Sequence, residues 1–280
     1  MEKFSAYSFN RAHSASYALI AYEAVYLKAH YPLVYMTAVL NAGGGYYQLP
    51  EYIEEAKRLG LTILGPDVNR SGYRFGVEGK AIRVGLDSIK NLTTRSLEKI
   101  ISERERDGVY LSVEDFLGRT KPGQSDLLAL IQAGALDSLE PNRSQQVLHY
   151  FHGVSEVEVA DINEEEKKKL QLEKLGFLPV GDPLELLNGR RPPLRVAHLR
   201  EFSAQTVELA VRVVDAREIR SSRGLTYFYL FEDESGQVEG VGQRKALAFG
   251  SPPVCFLRAE VRLQTDGCPR LVNCAFFHSF

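Results

Sequence analysis

The first 140 residues carry apolar positions at helical spacing, interrupted by short turn signals. Apolar side chains fill 15–27, Pro32 ends that segment, and a second apolar segment runs from 33 to 40 before the glycines at 43–45. This pattern predicts two helices, each buried on several sides.

The next segment mixes strand and helix. Residues 49–59 are spaced as a helix with Gly60 just past its end, and 61–64 form a short apolar run that predicts a strand. Residues 73–86 carry β-branched and aromatic side chains around Glu78-Gly79, the pattern of a hairpin. Helical spacing returns over 86–139. Its breaks are predicted at Asp107-Gly108, Pro122-Gly123 and Gly134.

A charged stretch and a linker follow. Three glutamates at 164–166 precede three lysines at 167–169, an order that suits i,i+3 and i,i+4 ion pairs, so a surface helix is favoured over a binding tail. Turn signals at 181–183 and 190–193 then interrupt the chain and predict a linker that ends near residue 201.

From residue 206 onward the pattern is that of strands. Five short strands joined by turns within about 75 residues predict a small closed barrel. They are predicted at 207–214, 225–231, 238–241, 254–263 and 270–277. The fold class is therefore α+β with several domains: a mainly helical N-terminal region and a C-terminal five-stranded OB-like barrel.

Charge and composition narrow the function. The 280 residues carry 34 Lys and Arg against 36 Asp and Glu, and no segment is basic as a whole, so any nucleic-acid binding must rest on local cations and be modest and salt-sensitive. The longest apolar run, 17–25, is too short to cross a membrane. Three cysteines without a CxxC pair indicate reduced thiols and a cytoplasmic protein, not a disulfide framework or a zinc site.

Residues 86–101 have the apolar spacing of a helix-hairpin-helix, in which a Gly-hydrophobic-Gly turn and the following helix N-terminus hold a DNA phosphate. Asn91 and Thr93 stand at the two glycine positions. Asn tolerates a left-handed backbone and β-branched Thr does not, which predicts an altered turn with a weaker phosphate contact. On this view Thr93→Gly restores the turn. A plain helical hairpin without a ligand is the alternative, and a degenerate second unit is predicted around 128–135.

In the barrel, Arg217, Arg220 and Arg223 precede an aromatic strand at 227–231. Cations beside aromatic rings suit single-stranded nucleic acid, because phosphates pair with Arg while bases stack on rings. Since alternate rings must face the barrel core, at most one or two can contact a base. Nucleotide-binding glycine loops, metal-binding patterns and close Asp-x-Asp pairs are absent from the sequence, so no catalytic or metal-ligating residue is predicted.

The run at 9–22, continued at 26–32, closely resembles the distal fingers of bacterial DNA polymerase III alpha subunits, the C-family replicative polymerases. The resemblance covers nearly the whole chain in order. It continues through 52–60, 65–69, 82–91, 133–137, 175–183 and the barrel.

The resemblance implies four parts: distal fingers helices at 1–48, a duplex-binding helix-hairpin-helix domain at 49–140, a charged helix and linker at 141–201, and an OB-fold at 202–280. The metal-binding PHP domain and the catalytic palm of the family would precede the first residue. We therefore expect the chain to be inactive as a polymerase alone and to need no cofactor, since magnesium would belong to the palm.

Site residues are carried over by position. Those matching the nucleotide-proximal part of the fingers are Arg11, His13 and Tyr17. The duplex-binding hairpin corresponds to Lys90, Asn91, Leu92, Thr93, Thr94 and Arg95. The single-strand contacts correspond to Arg220, Arg223 and Phe228, and Arg217 is added to them as a cation of the same loop. For the sliding clamp there is no clean copy of the family's binding pentapeptide; 145–151 has Gln, Leu and Phe at similar spacing, but a helix face is the favoured interpretation.

The leading hypothesis is a non-catalytic, DNA-binding C-terminal portion of a replicative polymerase alpha subunit, which contacts primer-template duplex and single-stranded template during DNA replication. Its expected partners are DNA and the catalytic half of the polymerase. The alternative is a polymerase-derived interaction or regulatory module with little DNA affinity, which the lost hairpin glycines and the net charge of −2 favour.

Overall fold

The structure, a computed structural model, describes residues 11–43, 48–152, 157–187, 192–221, 224–243 and 254–279. It opens with helices α1 (Arg11–His30) and α2 (Pro32–Ala42). Helix α2 is buried at Met36 and Leu40, as predicted. Most of helix α1 is exposed from residue 13 onward, and Tyr22 and Val25 are each 67% exposed, so the expected burial of α1 is wrong. Apolar spacing indicates that a helix has a face suited to burial, but it does not show which part of the molecule packs against that face.

A small three-stranded sheet follows the next helix, α3 (Leu49–Arg58). Strand β1 (Thr62–Leu64) pairs in parallel with β3 (Ala81–Arg83), and β3 pairs antiparallel with β2 (Gly76–Glu78). The predicted hairpin is confirmed, with Gly79 in the left-handed region at φ 60° in its turn.

The helical region contains α4 (Thr94–Asp107), α5 (Val113–Thr120), α6 (Gln124–Ala133), α7 (Arg143–His152) and α8 (Glu164–Leu175). Helices α4, α5 and α6 end or begin at the predicted glycine breaks. Helix α8 exposes its glutamates, as expected for the charged stretch. One apolar core joins α2 to α8 with the small sheet. Its fully buried members include Ile53, Ile82, Leu86, Ile100, Phe116 and Leu130.

The C-terminal region is the predicted closed, OB-like barrel. Its strands are β4 (Thr206–Ser221), β5 (Gly224–Asp233), β6 (Gly236–Gly242), β7 (Val254–Leu263) and β8 (Pro269–Ser279). They close in the order β4-β5-β6-β8-β7, with β6 and β8 parallel and the other neighbours antiparallel. A 3-10 segment, Val196–Phe202, packs Val196 and Leu199 into the barrel core.

Strand β4 is longer than predicted and contains a β-bulge. Val213 pairs with Phe231, but Asp215 pairs with Leu230, so Val214 is an extra residue. Before the bulge the odd-numbered residues of β4 face the core, and after it Ala216 does. The segment 217–221, predicted to be a loop, is therefore strand, with the odd-numbered side chains turned outward.

An ion-pair network joins α3 to the barrel. Glu232 is fully buried and accepts from Arg58 Nη1 at 2.5 Å and from Arg212 Nη2 at 2.7 Å. Arg212 also lies 3.5 Å from Glu54 Oε1 on α3. Because a buried charge that loses its partner is costly, this network holds the barrel against the helical region.

Candidate nucleic-acid interface

The turn before α4 is only partly the one predicted. Asn91 has φ 66°, which confirms the left-handed residue expected there. Thr93 has φ −72° and ψ 144° and is the N-cap of α4, its Oγ1 accepting from the Ser96 N–H at 3.3 Å. The expectation that Thr93 strains the turn is wrong, because this position does not need the left-handed region and Thr is a favourable N-cap.

The carboxylate of Asp126 on α6 is hydrogen-bonded to the N-terminal end of α4. Its Oδ1 accepts from the Thr93 N–H at 2.8 Å, and its Oδ2 accepts from Thr93 Oγ1 at 2.8 Å and Ser96 Oγ at 2.5 Å. Burial alone would raise the pKa of Asp126, but the hydrogen bonds from Ser96 and Thr93 outweigh it and lower the pKa. The buried residue Asp126 therefore keeps its carboxylate in the ionised form at this turn.

The other predicted duplex contacts lie together on the surface. Lys90, Thr94 and Arg95 are exposed around the turn, while Leu92 is half-buried against the core. Although Lys90 is exposed, partial loss of water around its ammonium group lowers its pKa, with Lys174 acting in the same direction and Glu173 opposing it. The structure thus brings these residues together, and their contact with duplex DNA stays a prediction.

The second hairpin unit turns at Gly134, which has φ 80°. Behind it lies the guanidinium of Arg143, 5% exposed, whose Nη2 donates to Asp137 Oδ2 at 2.7 Å. A Cβ on Gly134 would meet that Nη2 at 2.3 Å. The glycine is thus required both by the backbone and by the close approach of Arg143.

Residues 145–151 lie within α7, which confirms the helix interpretation. Gln146 is 1% exposed and its Nε2 donates to the Glu140 carbonyl oxygen at 2.5 Å. This glutamine therefore lies in the interior of the helical region and makes a structural hydrogen bond there.

On α1, His13 and Tyr17 are exposed neighbours whose ring centroids are 4.5 Å apart. The side chain of Arg11 lies outside the described residues. The role of these three near an incoming nucleotide stays a prediction.

A groove of about 500 Å³ crosses the outer face of β4, β5, β6 and β8. The register places Arg217 directly opposite Phe228, and Phe228 opposite Val241. Phe228 is 39% exposed, whereas Tyr227, Tyr229 and Phe231 are buried, so the expectation of one or two available rings is confirmed. The groove is lined by Asp215, Arg217, Ile219, Phe228, Glu239 and Arg270.

Cations and carboxylates balance in this groove. Arg217 Nε lies 3.0 Å from Asp215 Oδ2, and Arg270 is paired with Glu239. A strand of nucleic acid would therefore meet two arginines that are each shared with a carboxylate, so its electrostatic attraction is modest.

Arg220 does not join this groove. It pairs with Leu225 and follows Glu218, which pairs with Tyr227, so Arg220 lies on the opposite face of the β4–β5 ribbon from Phe228. Arg223 lies outside the described residues. The sequence grouped Arg217 and Arg220 by proximity, and the alternation of a strand separates them.

Asp126, Ile219 and Arg270 were missed from the sequence. The strand alternation that pairs Arg217 with Phe228 could have found Ile219, which is 52% exposed two residues further along the same face. Asp126 carries only the general signal of an acid in the first turn of a helix.

Within the described ranges, no group of three or more His, Cys, Asp or Glu side chains could hold a metal ion. Among the helices of those same ranges, none is both long and apolar enough to span a membrane. Cys255 and Cys274 are buried thiols, and burial raises the pKa of each to about 12.

By fold, the chain combines helical hairpins with an OB-like barrel, two modules of the nucleic-acid-binding classes. A family model described as "Helix-hairpin-helix motif" matches residues 60–146, which contain both hairpin turns.

Curated relatives extend this similarity to most of the chain. The DNA polymerase III subunit alpha of Borreliella burgdorferi is 39% identical over 189 residues, 66% of this chain and 16% of the relative. That of Thermus aquaticus is 35% identical over 235 residues, 74% of this chain and 18% of the relative. That of Deinococcus radiodurans is 30% identical over 319 aligned residues, 98% of this chain and 23% of the relative.

The chain belongs to the family of DNA polymerase III alpha subunits. It spans about a fifth of the length of these relatives.

Proposed function

We propose that this chain is a non-catalytic, DNA-binding portion of a replicative polymerase alpha subunit, and that its main DNA contact is the outer groove of the barrel. The observation that carries this is the exposed Phe228, which lies on β5 between Arg217 on β4 and Arg270 on β8. A base can stack on the ring while the arginines contact the phosphates on either side.

The pairing of both arginines predicts weak, salt-sensitive binding. Each phosphate contact contributes about 0.7 to the salt slope of a single strand, and a stacked base contributes about 1 to 3 kcal/mol. Two cations and one ring therefore account for a complex that forms at low salt and weakens as salt rises.

The remaining assignments follow from the family. Duplex contact at 90–95 is proposed as the weaker of the two DNA contacts. Arg11, His13 and Tyr17 would come near an incoming nucleotide only when a chain with the palm is present, and magnesium would be bound there. The proposed location is the cytoplasm, where replication takes place in bacteria.

A second candidate is an interaction or regulatory module with little DNA affinity. The neutral balance of the groove favours it, since Asp215 and Glu239 already satisfy the two arginines.

Fluorescence anisotropy with a single-stranded oligonucleotide, from about 20 mM salt upward, tests the proposal. Phe228→Ala should weaken binding about 5- to 150-fold, the loss expected for one stacked base. Leu263→Ala is the matched control, because Leu263 is a similarly exposed apolar residue of the barrel outside the groove lining. Binding that is absent at low salt, or equal in the two variants, would favour the interaction module.

A further inference from the structure

The N-terminal end of α4 is the place where a helix-hairpin-helix would hold a phosphate, and in this chain it already holds an anion. The first N–H groups of a helix have no intrahelical partner, and the helix dipole favours negative charge beside them. The Asp126 carboxylate takes the Thr93 N–H and the hydroxyls of Thr93 and Ser96, with both of its oxygens engaged.

Asp126 is placed there by its own helix. It lies in the first turn of α6, so the N-terminal ends of two helices, α4 and α6, converge on one carboxylate. The residue is 6% exposed, and the hydrogen bonds to its carboxylate lower its pKa in spite of that burial. It is thus a fixed negative charge within the turn, at the surface formed by Thr93 and Thr94.

We propose that Asp126 takes the position of a DNA phosphate at this hairpin, and so acts as a determinant against duplex binding. The inference rests on the proposed DNA-binding function and adds the choice between DNA forms. A phosphate that approaches the turn finds the Thr93 N–H already used and meets a like charge at close range. Binding is thereby left to the barrel groove, which accepts single strands.

The test compares duplex and single-stranded oligonucleotides on the full chain by fluorescence anisotropy, at about 50 mM salt. Asp126→Asn keeps an acceptor for the Thr93 N–H and removes the charge. Duplex affinity should rise about three- to tenfold, as expected for the loss of one nearby like charge, while single-strand affinity stays unchanged.

Two controls separate charge from other causes. Glu105→Gln makes the same change in net charge on the exposed, far part of α4, and should leave duplex affinity unchanged. Ser96→Ala removes one hydrogen bond to the carboxylate but keeps its charge, and should give no gain in duplex affinity. An equal gain in either control, or no gain in Asp126→Asn, overturns the inference.

Circular dichroism establishes that each variant is folded, and Asp126→Ser replaces Asp126→Asn if the latter is not. The proposed function and this inference are tested by different measurements. Single-strand binding that is unaffected by Phe228→Ala would contradict the proposed function. Duplex binding by Asp126→Asn would still decide this inference. If the parent chain binds no DNA at all, duplex binding gained by Asp126→Asn supports the inference and its absence overturns it.

Discussion

Arg217 and Arg220 are three residues apart on β4 and lie on opposite faces of the ribbon. Substituting Arg217 removes a positive charge inside the groove, and substituting Arg220 removes one outside it, so the two variants can be compared at equal net charge. Arg217→Gln should lower the salt slope of single-strand binding by about 0.7 and weaken binding at low salt, because one phosphate contact is lost. Arg220→Gln should leave the slope unchanged. A salt series of anisotropy titrations measures both, and equal slopes for the two variants would contradict the assigned face.

Thr93 is expected to stabilise the hairpin, contrary to the view that glycine would restore it. Thr93→Gly loses the N-cap hydroxyl and its bond to Asp126, at a cost of about 1 kcal/mol. The midpoint of thermal unfolding should fall by about 2 to 4 °C. Thr93→Ser, which keeps the hydroxyl, is the matched control and should stay close to the parent. A glycine variant more stable than the parent would show that the cap is not the role of this residue.

At the scale of single residues, the sequence predicts features that arise from one side chain, and it does not predict contacts between two side chains that are far apart in the chain. The left-handed backbone of Asn91 follows from its own side chain, and the break at Gly134 follows from its lack of one. The contact between Thr93 and Asp126 joins residues 33 positions apart, and no spacing rule brings them together.

At the scale of elements, α3 carries two glutamates one turn apart with opposite pKa shifts. Burial raises the pKa of Glu51, and its Oε2 is buried without a hydrogen-bond partner within the described residues. The hydrogen bond from Lys28, at 2.6 Å, lowers the pKa of Glu55. The junction with the barrel therefore includes one carboxylate that folding disfavours in its charged form.

Glu51→Gln should stabilise the chain at neutral pH. A folded-state pKa above the usual 4.5 means that the contribution of Glu51 to stability is full below that value and is lost as pH rises through the folded pKa. At pH 7.5 the variant should gain about 0.5 to 1 kcal/mol and about 1 to 3 °C in Tm, and at about pH 4 the gain should vanish.

Glu55→Gln is the control on the same helix. It removes the ion pair with Lys28 and should not raise Tm at either pH. Thermal unfolding of both variants at the two pH values makes the comparison, and a gain in Glu55→Gln as large as that in Glu51→Gln would remove the link to burial.

Helices and strands could be placed from the sequence where periodicity and turn signals agree. The hairpin around Gly79 and strand β7 are examples, the latter with its predicted bounds of 254–263. Strand β4 was predicted to end at 214, because the polar residues after it alternate with few apolar ones. Residues 217–220 continue β4 as a two-stranded ribbon with β5, and all four are exposed, so the barrel core places no apolar requirement on them.

At the scale of the whole molecule, α1 presents an unusually apolar surface. Tyr17, Ile20, Tyr22 and Val25 are each more than half exposed. Exposed apolar patches favour association, so the chain should self-associate at high concentration. The double variant Tyr22→Ser with Val25→Ser should shift sedimentation toward the monomer, whereas Val77→Ser, at an exposed site on β2, should not. A strict monomer for the parent chain at high concentration would contradict this expectation.

The isolated chain is also expected to show no primer extension. Its resemblance is to the distal fingers, the hairpin domain and the OB-fold, and two-metal phosphoryl transfer requires carboxylates that the family carries on the palm. A primer-extension assay with a preparation shown to be free of host polymerase measures this. Extension above the buffer control would overturn the non-catalytic assignment.

The helical region and the barrel could each be predicted from the sequence, but the contacts that join them could not. Five strand signals at short spacing are enough to indicate a closed barrel. The attachment includes the ion pairs of Arg58, Arg212 and Glu232, which lie in separate parts of the sequence and carry no pattern that pairs them.

The bulge at Val214 sets the phase of everything that follows it on β4. If Val214 were paired in regular alternation, Arg217 and Ile219 would turn toward the core and Glu218 and Arg220 outward. A homologue that lacks this one residue would keep the same side chains on the same faces, because its ladder would run from the partner of Phe231 to the partner of Leu230 without a bulge. When relatives near 30% identity are aligned, a gap omitted here would equate outward residues with inward ones. An insertion or deletion of one residue between Val213 and Asp215 is therefore compatible with the same outer face.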